Sequence, residues 1–243
     1  MVHPTLLVFV YALITALTTG LGALPFAFAR VISPTMVAYA NAIASGLMMG
    51  ASFGLVAEGS GYGAAQTVAG GVLGVLFILA TQRYLAHNEV EFGGLSGAGA
   101  RQMILMVVVM TVHSFSEGVA VGVAFGGGMA LATVITVAIA VHNIPEGLAI
   151  SAVLRPRGRS VAECAGWSIF SSLPQPLMAV PAFLFVEAVR PALPYGLGFA
   201  AGAMLFMVLV ELLPEAFEQA RKPAVATLAS ISLVAMVIFQ QFL

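Results

Sequence analysis

The sequence predicts an all-α integral membrane protein of eight transmembrane helices, and three observations carry that expectation. The first is charge. Of 243 residues, 60% are hydrophobic and only nine are basic and ten acidic. A soluble domain carries about 25% charged residues, so 8% leaves too little polar surface for a water-facing globule. The second is the length of the apolar runs. Eight segments, about 6–29, 35–57, 63–82, 102–125, 129–154, 161–186, 192–210 and 224–243, come close to or exceed the ~20 residues that cross ~30 Å of hydrocarbon. The third is that these runs do not alternate in polarity as barrel strands do. Each must therefore satisfy its own backbone as a helix.

Taken in order, the first segment has nothing basic before Arg30. It lacks the charged start of a cleavable signal peptide and is expected to be retained. The third segment is the weakest, with Gly63, Ala64, Ala65, Ala69, Gly70 and Gly71 at its start. The connections are short: 30–34, 58–62, 83–101, 126–128, 155–160, 187–191 and about 211–223. Only 83–101 is long enough to move. It is glycine-rich and holds a polar cluster of His87, Asn88, Glu89 and Glu91. The whole chain, 1–243, reads as one transmembrane domain with this loop between its third and fourth helices. Eight of the nine basic residues fall on one side: Arg30; Arg83 and Arg101; Arg155, Arg157 and Arg159; Arg221 and Lys222. Arg190 stands alone on the other. By the positive-inside rule the 83–101 loop is cytoplasmic and both termini face outward.

Composition also excludes functions. A formal net charge of −1 offers no basic face for nucleic acid. One cysteine, Cys164, excludes an intrachain disulfide and a thiolate-only metal site. The single lysine, Lys222, lies in a terminal loop, which removes a retinal protein.

Two charged residues sit in span interiors, Glu117 and Glu146, and each follows a histidine by four positions, in His113-Ser-Phe-Ser-Glu117-Gly118 and His142-Asn-Ile-Pro-Glu146-Gly147. Residues i and i+4 share a helix face. Both histidines fall near the middle of their spans. Because the fourth and fifth helices run in opposite directions, antiparallel packing sets His113 beside Glu146 and Glu117 beside His142. A charged side chain at this depth costs about 2.5–3.5 kcal/mol on insertion scales, and no Lys or Arg lies in a span interior to offset it. The two carboxylates are protonated or share a cation. Imidazole with carboxylate is a donor set for a borderline divalent ion such as Zn²⁺. A lone mid-membrane histidine is more often a packing residue. Two copies of one pattern at matched depth point to a site.

Other polar interior positions surround this pair. Pro145 removes the backbone donor to Val141 and predicts a kink beside His142, whether packed or functional. Pro174-Gln175-Pro176 predicts a broken helix with Gln175 at the midplane, either a substrate-site feature or a kink bonded to a neighbour. Asn41, Ser45, Thr15, Thr18 and Thr19 are expected to bond between helices. Met48, Met49, Met204 and Met207 are expected to pack. Glu211, Glu215 and Glu218 form an acidic patch at a helix end. With His87, Glu89 and Glu91 it reads as an exit relay for cations or as a solvated end.

The segments HSFSEGVAVG (113–122) and HNIPEGLAIS (142–151) resemble the paired signatures of the ZIP (Zrt/Irt-like) metal transporters of bacterial type. The VELLPEA run at 210–216 and the eight spans fit as well. The resemblance implies uptake of a divalent metal into the cytoplasm, usually zinc, sometimes iron, manganese or cadmium, as substrate and with no prosthetic group. It implies a ZIP-like bundle broken at the metal site, elevator-like motion, a homodimer, and a multi-pass location in a bacterial inner membrane. His113, Glu117, His142 and Glu146 match the family's primary site. Where relatives have a second metal position, this chain has Ser114, Asn143 and Gln175, and Ser116 replaces a frequent proline. The second position has lost its own carboxylate, so the charge balance predicts one ion per chain. The alternative reading is an intramembrane zinc-dependent metalloenzyme, although the His-Glu-x-x-His pattern is absent.

Overall fold

A computed structural model describes residues 3–29, 31–87 and 98–242, with side chains from 3–29, 31–84, 110–111 and 113–242. The described residues are almost wholly helical: α1 (Pro4–Thr19), α2 (Pro25–Phe28), α3 (Pro34–His87), α4 (Ala98–Gly127), α5 (Met129–Leu154), α6 (Val161–Ser172), α7 (Pro174–Ala188), α8 (Leu193–Met207), α9 (Leu213–Gln219) and α10 (Lys222–Gln240). No strand occurs among them. Leucine, phenylalanine and valine side chains cover the outer faces, as in Phe28, Val68, Leu177 and Ile231, all more than half exposed. This is the surface a bilayer solvates, and the chain is an integral, multi-pass membrane protein.

Six stretches of the described residues are long and apolar enough to cross a membrane. One of them, Pro34–Tyr84, has 51 residues and is about 77 Å long at 1.5 Å per residue, more than twice the hydrocarbon thickness. Its backbone leaves helical geometry at Gly63, between the segments expected at 35–57 and 63–82. The expected 58–62 connection is thus part of a bent helix. Similarly, α3 runs on to His87 and α4 starts at Ala98, so the expected 83–101 loop is helical at both ends. Glu89 and Glu91 lie outside the described residues, as does the side chain of His87.

Local chemistry sets the other breaks. Gly128 joins α4 to α5 at φ 122°, a left-handed conformation that glycine adopts without strain. Leu173 alone separates α6 from α7, and Pro174 opens the new helix, which confirms a break beside Gln175. Pro145, by contrast, lies inside an uninterrupted α5. Ser160 and Glu163 cap the start of α6 reciprocally, Ser160 Oγ accepting from the Glu163 amide at 3.1 Å and Glu163 Oε2 from the Ser160 amide at 2.7 Å.

The weak third segment finds its explanation against α8. A Cβ at Gly70 or Gly74 would collide with the carbonyls of Tyr195 or Phe199, and one at Gly198 or Gly202 with those of Thr67 or Gly71. Glycines four apart on both helices let the backbones touch, as membrane helix pairs with little hydrophobic drive require. Around this seam Met48, Leu55, Ile135, Ile139, Leu197 and Met204 fill one apolar core, and Met207 is buried beside it.

Candidate metal centre

The antiparallel pairing of α4 and α5 brings His113, Glu117, His142 and Glu146 together, each no more than 3% exposed. One ligand atom from each lies within 4.8 Å of all the others. The contacts between helices are shorter than those within them. His113 Nε2 is 3.4 Å from Glu146 Oε1 and His142 Nε2 is 3.4 Å from Glu117 Oε1. The two i,i+4 distances, His113 to Glu117 and His142 to Glu146, are 3.7 Å. The imidazole rings stack with centroids 5.6 Å apart.

Both Nε2 atoms and both Oε1 atoms are buried with no hydrogen-bond partner among the described residues. Buried polar atoms are nearly always paired, and leaving four unpaired at one point is costly. Two neutral imidazole nitrogens and two carboxylate oxygens are together complementary to a single divalent cation. Tetrahedral N/O coordination is what zinc accepts.

The glycine after each motif glutamate has a packing reason. A Cβ at Gly147 would meet the Thr19 carbonyl, and one at Gly118 would lie 2.8 Å from the Cα of Gln175. Each carboxylate is therefore held where a neighbouring helix backbone comes closest.

The surrounding polar residues divide. Gln175 Nε2 donates to Glu117 Oε2 at 2.7 Å. Thr15 Oγ1 lies 2.5 Å from Gln175 Oε1 and 2.7 Å from the Ala12 carbonyl, two acceptors for its one proton, and Asn143 Nδ2 donates to the same Gln175 oxygen at 3.1 Å and to the Thr15 carbonyl at 2.7 Å. Ser114 is fully buried, its hydroxyl unpaired among the described residues. Thr19 bonds Ser172 across helices at 2.8 Å. Thr18 and Ser45 do not bridge helices as expected; their hydroxyls return to carbonyls of their own turns, at Thr15 and Asn41. Ser116 does the same with the His113 carbonyl.

Glu211 is the residue the sequence underweighted. It sits on a π-helical turn, Val208–Leu212, that closes α8. The wider turn brings Glu211 Oε2 to 3.9 Å from His113 Nδ1, while Oε1 accepts from Gln82 Nε2 at 2.6 Å. An acid four residues before another acid carries no signal of this; only the proline at 214, which ends the regular helix, hinted at it. Glu215 accepts from Asn41 Nδ2 at 3.5 Å and from Gln219 Nε2 at 3.2 Å.

Comparison with known proteins agrees with this chemistry. The family model described as ZIP Zinc transporter matches residues 87–238, well over half the chain. A putative zinc transporter of Arabidopsis thaliana is 45% identical over 93% of this chain, which spans 37% of that protein's length. The zinc transporter GufA of Myxococcus xanthus is 34% identical, with 85% of this chain and 87% of GufA aligned. The zinc transporter ZupT of Xanthomonas axonopodis pv. citri is 33% identical, with 88% and 86% aligned. These are transporters, not enzymes, and the metalloenzyme alternative is set aside with them. By the family model and by relatives matched along most of their length, the chain belongs to the ZIP zinc transporter family.

Proposed function

We propose that the chain carries divalent metal, zinc foremost, across a membrane into the cytoplasm through the His113, Glu117, His142 and Glu146 cluster between α4 and α5. The observation that carries the reading is the convergence of two imidazole nitrogens and two carboxylate oxygens, buried and unpaired, at one point. Iron, manganese and cadmium share enough of zinc's ligand chemistry to be alternative substrates.

The fold reading that accompanies this is eight crossings in one transmembrane domain over 1–243. Two come from the halves of α3 on either side of Gly63, one each from α1, α4, α5 and α10, one from α6 with α7, and one from α8 with α9. The bias of basic residues supports outward termini and a cytoplasmic side for the connection within 83–101. We assign the protein to a bacterial inner membrane, as a homodimer. On the cytoplasmic side Glu211 and Glu215 attract cations for exit, and His87, Glu89 and Glu91, which the sequence sets on that side, are assigned to the same role. Glu211 beside His113 is the first of them.

The experiment is metal flux into proteoliposomes, followed with radiometals or an enclosed dye, across Zn²⁺, Cd²⁺, Mn²⁺ and Fe²⁺. Saturable zinc entry above the lipid background is expected. No entry of any of the four by folded protein counts against the assignment.

A further inference from the structure

We propose that the α5–α6 corner binds an anionic phospholipid, with its phosphate on Arg155, Arg157 and Arg159 and an acyl chain in the groove beside Trp167 and Phe170. This surface is independent of the transport reading. Only its leaflet, the cytoplasmic one, rests on the proposed orientation, and anionic lipids are concentrated there.

The connection between α5 and α6 is a closed corner. Gly158 turns it at φ 85°, a left-handed conformation that suits glycine. Its amide bonds the Arg155 carbonyl at 3.1 Å, and Arg155 Nη1 donates across the turn to the Arg159 carbonyl at 2.9 Å. Arg157 Nη1 folds back onto the Val153 carbonyl, in the last turn of α5, at 2.5 Å. A backbone carbonyl orients a guanidinium without cancelling its charge. Glu163 is the one acid between Arg155 and Trp167. The Ser160 amide holds its Oε2 at 2.7 Å, and Arg159 Nη1 lies 3.3 Å from its Oε1. Three guanidiniums against one carboxylate leave this segment with excess positive charge. Arg157 and Arg159 are exposed.

The groove begins where the charges end. Glu163, Gly166, Trp167 and Phe170 share one face of α6 by i,i+3 and i,i+4 spacing and line a groove of about 320 Å³. A Cβ at Gly166 would meet nothing within 4 Å, so the notch is open. Trp167 and Phe170 meet edge to face with centroids 5.7 Å apart, and both are exposed. From Val161, the first residue of α6, Trp167 lies about 9 Å along the axis at 1.5 Å per residue, the interfacial depth that tryptophan favours. Leu173 and Leu177 continue the exposed apolar stripe. Positive charge at the helix end and an apolar notch leading from it into hydrocarbon complement the two ends of one lipid. A soluble anion would use only the first. An apolar face of a second copy would use only the second.

Trp167 is the single tryptophan of the chain, so its fluorescence reports on this groove alone. The test is quenching of that fluorescence in phosphatidylcholine vesicles that contain brominated phosphatidylglycerol or an equal fraction of brominated phosphatidylcholine. The unmodified chain is expected to prefer the anionic lipid by about fivefold or more, the worth of one arginine near an anionic surface. Arg155→Gln, Arg157→Gln and Arg159→Gln together should bring the two lipids to parity. Arg221→Gln with Lys222→Gln, which removes charge from the same side, should leave the preference in place. Gly166→Leu fills the notch without meeting another atom, and decides the matter if the triple variant fails to fold; it should lower the preference while all three arginines remain. Inorganic phosphate on both sides of the bilayer should not displace the lipid. Equal quenching by the two lipids in the unmodified chain overturns the proposal, as does a preference that survives the three arginine substitutions or Gly166→Leu, or that vanishes on adding phosphate. A preference lost equally with Arg221 and Lys222 would show diffuse attraction instead of a site, and quenching by neither lipid would show this face covered by a second copy; either result also overturns it.

Discussion

The second half of α3 against α8, and α4 with α5 against α1 and α7, use the same device for different ends. At the first contact Gly70, Gly74, Gly198 and Gly202 let two backbones touch, and the side chains around them are mostly apolar and uncharged. At the second, Gly118 and Gly147 allow an equal approach, but each follows a glutamate that belongs to the metal cluster. Close packing in the first region yields only stability. In the second it fixes the depth and rotation of the helices that bear the proposed ligands, so packing and the proposed chemistry are linked through one residue. The difference teaches that a glycine's neighbour in sequence decides whether its loss is felt in the fold alone or also in the chemistry.

The largest effect that would break the comparison lies at the ligands. His142→Ala or Glu146→Ala should reduce zinc flux in proteoliposomes to background while expression and elution profile stay near the unmodified protein. Glu146→Ala takes one of two neighbouring carboxylates out of low dielectric, and in His142→Ala the carboxylates left behind neutralise by protonation, so the fold survives in either. Full-rate uptake by either variant would sink the site.

An intermediate effect sharpens it. Gly198→Ala and Gly147→Ala each force a Cβ onto a backbone carbonyl, of Thr67 and of Thr19, and each should cost about 1–3 kcal/mol, the range for overpacking. Thermal unfolding in detergent would read both losses. Zinc affinity should separate them: unchanged in Gly198→Ala, and weakened about 10-fold or more in Gly147→Ala, where Glu146 moves with the backbone. Equal zinc affinity in the two variants would show that the glycines after the glutamates serve packing only.

The smallest effect is graded. Metal binding needs neutral imidazole and ionised carboxylate, so protons compete with the ion. Zinc flux should fall once outside pH drops below about 6, by about an order of magnitude at pH 5, as imidazole protonates. The α3–α8 glycine seam carries no carboxylate or imidazole, so the unfolding temperature should change less than the flux over the same range. A flat flux profile from about pH 5 to 7.5 would argue against His113 and His142 as ligands.

Much of this was legible without coordinates. The helical class follows from charge too sparse for water and apolar runs too uniform for strands. The break at Leu173, two residues before Gln175, is expected from the prolines at 174 and 176. The convergence of His113, Glu117, His142 and Glu146 follows from a spacing that fixes one helix face, repeated at one depth. Less legible were the residues whose roles depend on distant partners. Thr15 and Gln175 are 160 positions apart, and Gln82 and Glu211 are 129 apart; no periodicity connects them. Pro145 lies inside a continuous α5, as a proline can where neighbouring helices re-satisfy the freed backbone.

The sequence by itself determined what each helix carries, since helical periodicity and composition are local. It set His and Glu on one face, glycine beside each glutamate, and no countercharge at that depth. The tertiary structure decided how the helices are turned toward one another. That choice makes the contacts between helices, 3.4 Å, shorter than those within them, 3.7 Å. It also directs the Gln175 amide at Glu117 and brings Glu211 to His113 through a π-helical turn. The physical reason is that relative rotation and depth are fixed by backbone contacts between helices distant in sequence, where a single Cβ more or less decides how closely they approach.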